Sequence, residues 1–217
     1  MILQRKKDVT RAILRDMQNK ITLRNTLLSI CSITFLSSFL IPVFGGKVDK
    51  TFGGHMQFLT MIALSMTCLT LWMNQYTRLY TITYDLLVLS VVIETIVTVY
   101  YWGIFHYNRF WLYPKDIPPI PLIIDLLLHF LPAVAMWLEL LTTIKLHRVS
   151  RKHIYIIAGF SVAYMLWAEY CYIQNGYYVY PFLQIIDYRI KTFLTLATIV
   201  VAVIVYVISV QIHSLFW

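Results

Sequence analysis

The sequence predicts an all-α integral membrane protein: a bundle of six transmembrane helices with both termini in the cytosol. Three observations lead there. Of 217 residues, 59% are hydrophobic and only 13% charged, with a mean hydropathy of +0.70. Soluble domains are about half apolar and about a quarter charged. Six segments are apolar over the roughly 20 residues that a helix needs to cross a hydrocarbon core. The basic residues, finally, fall unevenly on the two sides that such a threading creates.

Residues 1–23 form a cytosolic basic segment. Seven Lys/Arg lie between Arg5 and Arg24, while Val9, Ile13, Met17 and Ile21 recur every four residues among them. That spacing suits a short amphipathic helix in the membrane interface; a solvated basic topology signal accounts for the charge equally well. The first apolar span, at 24–44, follows about two dozen mostly polar residues. It reads as a retained signal-anchor rather than a cleaved leader.

The remaining spans are placed at 56–75, 84–106, 119–142, 153–173 and 192–213, so residues 24–217 form one transmembrane domain. Each must be helical, because lipid offers the backbone no hydrogen-bonding partners and the spans are too long and evenly apolar for barrel strands.

This threading puts twelve Lys/Arg on one face: the seven of the N-terminal segment, Arg78, and Lys145, Arg148, Arg151 and Lys152. The opposite face carries six. The positive-inside rule assigns the richer face to the cytosol. The other face has loops rich in Gly, Pro and aromatics, among them "HYNRFWLYPKDIPPIP" and "QNGYYVYPFLQIIDYR". Tyr100, Tyr101, Trp102, Trp111, Tyr113, Tyr177, Tyr178 and Tyr180 are expected to form an aromatic belt there.

Several function classes recede. No basic patch stands on a soluble domain, so the basic charge does not point to nucleic acid. Cys31, Cys68 and Cys171 are isolated within predicted helices and read as small buried residues. The histidines form neither HxxxH nor HExxH, and Asp125 with His129 is too small a ligand set for zinc. No metal or other cofactor is implied. There is no glycine-rich phosphate loop and no GxSxG.

What does stand out is ionisable side chains at membrane depth. Each costs about 2.5–3.5 kcal/mol at a helix centre on insertion scales, so each is a functional candidate. They are Glu94, Asp125, His129, Glu139 and Glu169. Glu139 is expected near the cytosolic surface, paired with Lys145. Glu169 is expected in the aromatic belt, wetted by solvent. Glu94 is central, either neutral or bonded to a neighbouring helix.

Asp125 and His129 are four residues apart and share one helix face. A carboxylate beside an imidazole fixes its tautomer and raises its basicity, as in hydrolytic triads. Such a base needs a nucleophile, and the second span offers Thr60, Ser65, Thr67 and Thr70. At 1.5 Å per residue Thr60 lies roughly 6 Å deep and His129 roughly 12–15 Å. Ser65 matches the depth of His129 better than Thr60 does. Tilt closes the gap for either, and membrane hydroxyls most often bond back to a carbonyl one turn earlier. From the residues alone the nucleophile stays open.

Four stretches, "GGHMQFLT" (53–60), "YNRFWLYPK" (107–115), "LLLHFLPAVAMWLE" (126–139) and "VAYMLWAEYCYIQNGYYVYPFL" (162–183), together resemble the androgen-induced protein / androgen-dependent TFPI-regulating protein family. The resemblance implies six membrane helices and a threonine hydrolase acting on fatty acid esters of hydroxy fatty acids. It places the nucleophile, the Thr closing the family's "GxxKF/YL/MT", on Thr60, and the second essential residue, the His closing "NHxMH", on His129. It implies the endoplasmic reticulum as location.

This chain departs from the family pattern in places. Gln57 stands where the family has Lys, Asp125 where it has Asn, and Leu126 where it has the first His. Tyr170, Cys171 and Tyr172 replace its His-rich stretch before "YPF".

The expectation is therefore a membrane hydrolase of lipid esters, with Thr60 attacking, His129 as base and Asp125 orienting the imidazole. Its partners are membrane lipids and the ester substrate. The water path to the site is expected near Asp125 and "PPIP" at 118–121. The rival expectations are an intramembrane transporter or proton relay using Asp125, His129 and Glu94, and a non-catalytic lipid-binding scaffold.

Overall fold

The computed structural model describes residues 2–39, 50–75, 80–113, 120–143 and 148–216. Among these there are helices and turns and no strand. α1 (Ile2–Ser38) is followed by a 3₁₀ turn at Gly54–Gln57, α2 (Leu59–Met73), α3 (Tyr80–Asn108) and a second 3₁₀ turn at Arg109–Trp111. Then come α4 (Leu122–His129), α5 (Leu131–Thr142), α6 (Arg151–Asn175), the short α7 (Phe182–Ile185) and α8 (Tyr188–Ser214).

Four stretches are long and apolar enough to cross a membrane: Thr81–Trp111, Leu122–Thr142, Arg151–Asn175 and Tyr188–Ser214. α2 is apolar but has 15 residues, a length of about 22 Å. α1 is one unbroken helix through residues 23 and 24, where the basic segment gives way to the first predicted span. That span's last residues, 40–44, lie outside the described residues, as do Arg78 and Lys145. On the basic segment Met17 and Ile21 are both exposed.

α3 is the centre of the bundle. It packs against α2, α4, α5, α6 and α8, and 67% of its most apolar window is buried. The same measure is 17% for α6 and 22% for α8, which therefore stand at the periphery, facing lipid. Two cores flank α3. One joins Leu27, Leu64, Leu87, Met136 and Leu140 of α1, α2, α3 and α5. The other joins Val88, Val92, Ile96, Ile157 and Tyr206 of α3, α6 and α8.

The predicted fourth span, 119–142, is not one helix. It breaks at Phe130, whose φ and ψ are −129° and −49°, into α4 and α5. Pro132, in the first turn of α5, is the cause: it has no N–H to offer the carbonyl four residues back, and its ring crowds that carbonyl. The neighbouring His129 carbonyl, at the end of α4, accepts from the Thr98 hydroxyl of α3 at 2.7 Å. A freed backbone group in a membrane helix needs such a partner.

Cys31 and Cys171 are buried free thiols and Cys68 is half-buried. α6 ends at Gly176, whose φ of 76° lies in the left-handed region that glycine favours. α8 begins at Asp187, whose carboxylate accepts from the Ile190 N–H at 2.8 Å.

The partner of Glu139 is Arg24. The guanidinium reaches the carboxylate at 2.7 Å through Nη2 and at 3.0 and 3.1 Å through Nε. Arg24 also donates to the Asn74 carbonyl at the end of α2, and the Asn74 amide donates to Glu139. The middle of α1 and the ends of α2 and α5 are thus tied by one buried carboxylate. Removing the cation alone strands that charge, at a cost of about 3–5 kcal/mol. Arg24→Ala is therefore expected to lower the thermal unfolding midpoint of the detergent-solubilised protein markedly. Adding Glu139→Leu to it should recover most of the loss. Additive losses in the double variant would refute the coupling.

Candidate active site

Thr60 is the second residue of α2. Its position is set by the loop before it. Gly53 takes φ 81°, and a Cβ there would meet Gln57 Cγ at 2.9 Å and Cys171 Sγ at 3.0 Å, so the close approach of the turn to α6 needs a glycine. α6 holds the turn from the other side. Trp167 Nε1–H donates to the Met56 carbonyl at 2.8 Å, and the Tyr164 hydroxyl donates to the Gln57 carbonyl at 3.1 Å.

Gln57, where the resembling family has Lys, is 2% exposed. Its amide donates to Thr51 Oγ1 and the Gly54 carbonyl and accepts from Asn175. It locks the loop. The Leu59 N–H, left without an intrahelical acceptor at the helix start, donates to the Tyr180 hydroxyl at 3.1 Å. That hydroxyl also faces the Thr60 N–H, the Thr60 hydroxyl and the Tyr164 hydroxyl.

His129 is the last residue of α4. Its Nδ1 lies 2.7 Å from Asp125 Oδ1, and the two residues are 6% and 3% exposed. A carboxylate only accepts, so Nδ1–H donates and the lone pair sits on Nε2. The imidazole also stacks on the Tyr101 ring, with centroids 3.5 Å apart and planes 5° from parallel. The Tyr101 hydroxyl in turn bonds that of Tyr113 at 2.8 Å. The ring is thus held in plane by one partner and face-on by another.

Thr60 and His129 line one cavity of about 330 Å³ that runs between α3, α6 and α8. Its wall is almost wholly apolar, with Tyr101, Tyr164 and Tyr180 supplying phenol groups. The other three hydroxyls of α2 are absent from that wall. Ser65 bonds back to the Ile62 carbonyl, Thr67 bonds Glu94 Oε1 at 2.7 Å, and Thr70 bonds the Met66 carbonyl and Ser90. The residue that matched His129 in depth, Ser65, faces elsewhere.

Other expected residues fall apart from the cavity. Glu94 is buried on α3 and held by Thr67. Glu169 is not simply wetted: it accepts from the Tyr178 hydroxyl at 2.6 Å and lies 3.4 Å from the Lys191 ammonium. Tyr101, Tyr113 and Tyr178 are buried, so they do not form the belt assigned to them. Tyr101 and Tyr113 line the cavity, and Tyr180 lines it too. Aromatic residues near a membrane surface carry no mark of which way they turn; here a histidine and a helix start give them partners inside. Of "PPIP", Pro118 and Pro119 lie outside the described residues, while Ile120 is buried. Among the described residues no three His, Cys, Asp or Glu are grouped so as to hold a metal ion.

Comparison with known proteins agrees with the resemblance noted in the sequence. The family described as FAR-17a/AIG1-like protein matches residues 21–214. A UPF0641 membrane protein of Schizosaccharomyces pombe is 34% identical over 162 residues, which cover 70% of this chain and 73% of the relative. No solved structure matches the chain. The match runs through α2, α4 and the loop before α8, where the cavity residues lie, and the chain is a membrane protein of the FAR-17a/AIG1-like family.

Proposed function

We propose that the protein is a membrane-embedded hydrolase of lipid esters in which Thr60 is the nucleophile and His129 the base. The observation that carries this is the shared cavity: of the four hydroxyls on α2, Thr60 alone faces the space that His129 faces. Asp125 is a positioning residue, through its bond to Nδ1.

The chemistry follows from that placement. His129 Nε2 takes the Thr60 hydroxyl proton as Oγ attacks the ester carbonyl carbon. The tetrahedral intermediate collapses, the ester C–O bond breaks, and the imidazolium returns the proton to the leaving alcohol. Water, deprotonated by the same nitrogen, then attacks the acyl-threonine and frees the acid. Threonine is a poor nucleophile without such a base. The apolar wall suits acyl chains. The resemblance to the androgen-induced protein family suggests fatty acid esters of hydroxy fatty acids as substrates and the endoplasmic reticulum as compartment.

The same proposal includes six membrane crossings, with α1 and α2 supplying the two beyond the four long apolar stretches, and both termini in the cytosol. The distribution of Lys and Arg supports that orientation.

Thr60→Ala and His129→Ala are each expected to lower ester hydrolysis by roughly a thousandfold or more. Thr60→Ala should keep the thermal unfolding midpoint, whereas His129→Ala, which strands the buried Asp125 carboxylate, should lower it while the protein still folds. A fluorophosphonate probe should label the wild-type chain on Thr60 and fail to label either variant. Hydrolysis by both variants at the wild-type rate refutes the pair. Ion or substrate flux in liposomes without ester cleavage would favour a transporter instead.

Asp125→Asn keeps a carbonyl oxygen that can accept from Nδ1–H, and the related family carries Asn there. It should retain activity within about tenfold, whereas Asp125→Leu, which removes the acceptor, should cost about 10²–10⁴-fold in kcat. Equal activity of the two variants would show that the bond does not position the ring.

A further inference from the structure

Among the described residues, Lys191 is the one Lys, Arg, Asp or Glu that lines the cavity. It sits in the first turn of α8, where the helix dipole disfavours a cation. Its side chain is only 12% exposed. An ammonium taken out of water beside an apolar space is costly unless something of opposite charge compensates it. Both circumstances argue against a merely tolerated residue.

Within the chain the ammonium is compensated from the side away from the cavity. The ammonium donates to the Tyr178 hydroxyl and lies over the Tyr178 ring, 4.0 Å from its centroid, and 5.7 Å from that of Tyr172. Tyr178 in turn donates to Glu169 Oε2 at 2.6 Å. The neighbouring oxygen, Glu169 Oε1, is buried, has no hydrogen bond, and stands 3.4 Å from Lys191 Nζ. The cation and this carboxylate form an ion pair, looser than a charge-assisted hydrogen bond of about 2.7–2.9 Å. Burial, with Glu169 beside it, raises the Tyr178 phenol well above its ordinary value, so it stays a neutral donor between the two charges. Glu169 is not part of the cavity wall. The cavity therefore meets the positive end of this chain of contacts and not the negative one.

Below Lys191 the same face of α8 continues with Thr195, Thr198 and Ala202, all lining the cavity. From Lys191 to Ala202 is about 16 Å along the helix axis. The space thus has a charged end and a long apolar body. We propose that it is a binding site for a lipid acid: the tail of a long-chain amphiphile lies along α8, and its free carboxylate rests on the Lys191 ammonium. The site rests on the proposed function and adds the residue that holds a lipid's free carboxylate, and it stands apart from hydrolysis because binding needs no turnover.

The test is equilibrium binding of radiolabelled palmitate and of hexadecanol to the purified full-length protein in mild detergent. The wild type and Thr60→Ala should both hold palmitate about tenfold or more tighter than hexadecanol, a difference of about 1.4 kcal/mol. Lys191→Met should reduce palmitate binding to the level of the alcohol, leaving the alcohol unchanged, and Lys191→Arg should restore the preference. Glu169→Gln removes the competing carboxylate and should tighten palmitate binding. Equal affinity of the wild type for acid and alcohol overturns the proposal, as does palmitate binding unaffected by Lys191→Met. Tighter retention of hexadecyl phosphate than of palmitate overturns the carboxylate assignment. Should Lys191→Met lose both ligands through misfolding, Glu169→Gln decides: tightening supports the site and no change refutes it. Because Thr60→Ala binds without reacting, loss of the acid site and loss of the hydrolase reading give different results.

Discussion

A proline that cannot donate is the constraint on which the site rests. Pro132, three residues after His129, breaks the span at Phe130, and the His129 carbonyl at the break accepts from Thr98 of α3. Backbone left unpaired inside lipid is costly, and α3 gives the His129 carbonyl a partner. The imidazole is thereby placed at a helix end, with Asp125 one turn behind it and the Tyr101 ring of α3 against its face. α3 thus supports both the backbone and the ring, which is consistent with its place at the centre of the bundle.

The buried acids follow a common pattern with different partners. Glu94 is met by a threonine of α2, Glu139 by an arginine of α1, and Glu169 by a tyrosine of the loop after α6 and a lysine of α8. Asp125 differs in having a partner, His129, on its own helix. In a medium with no hydrophobic drive between helices, polar contacts across the bundle help to specify which helix lies next to which. The three glutamates serve that end. The short-range pair alone borders the cavity, through His129.

That difference also decides what could be read from the sequence. Asp125 and His129 are neighbours by helical spacing, so their contact was legible from two letters and a period. Thr60 was not: depth along a helix follows from counting residues, but the face that a side chain presents depends on rotation about the axis, which neighbouring helices set. Ser65 had the better depth and turned away. The resemblance to a known family chose between them where counting could not. Arg24 and Glu139 are separated by over a hundred residues, and no local pattern joins them. Pro132 was visible, yet the extent of the break depended on whether another helix could take the freed carbonyl. The tyrosines of the non-cytosolic loops look alike in composition, and only packing tells a cavity wall from a membrane surface.

The thin outer wall of the cavity has one more consequence. α6 and α8 line it and are also the helices most open to surrounding lipid. A single layer of helix separates the interior from the acyl chains outside. A lipid ligand of the kind proposed above would therefore approach sideways, by diffusion in two dimensions. Occupancy then follows the mole fraction of ligand in the bilayer and not its amount per volume of water. Diluting the protein with inert lipid slows such encounters even when every concentration in the surrounding solution is unchanged.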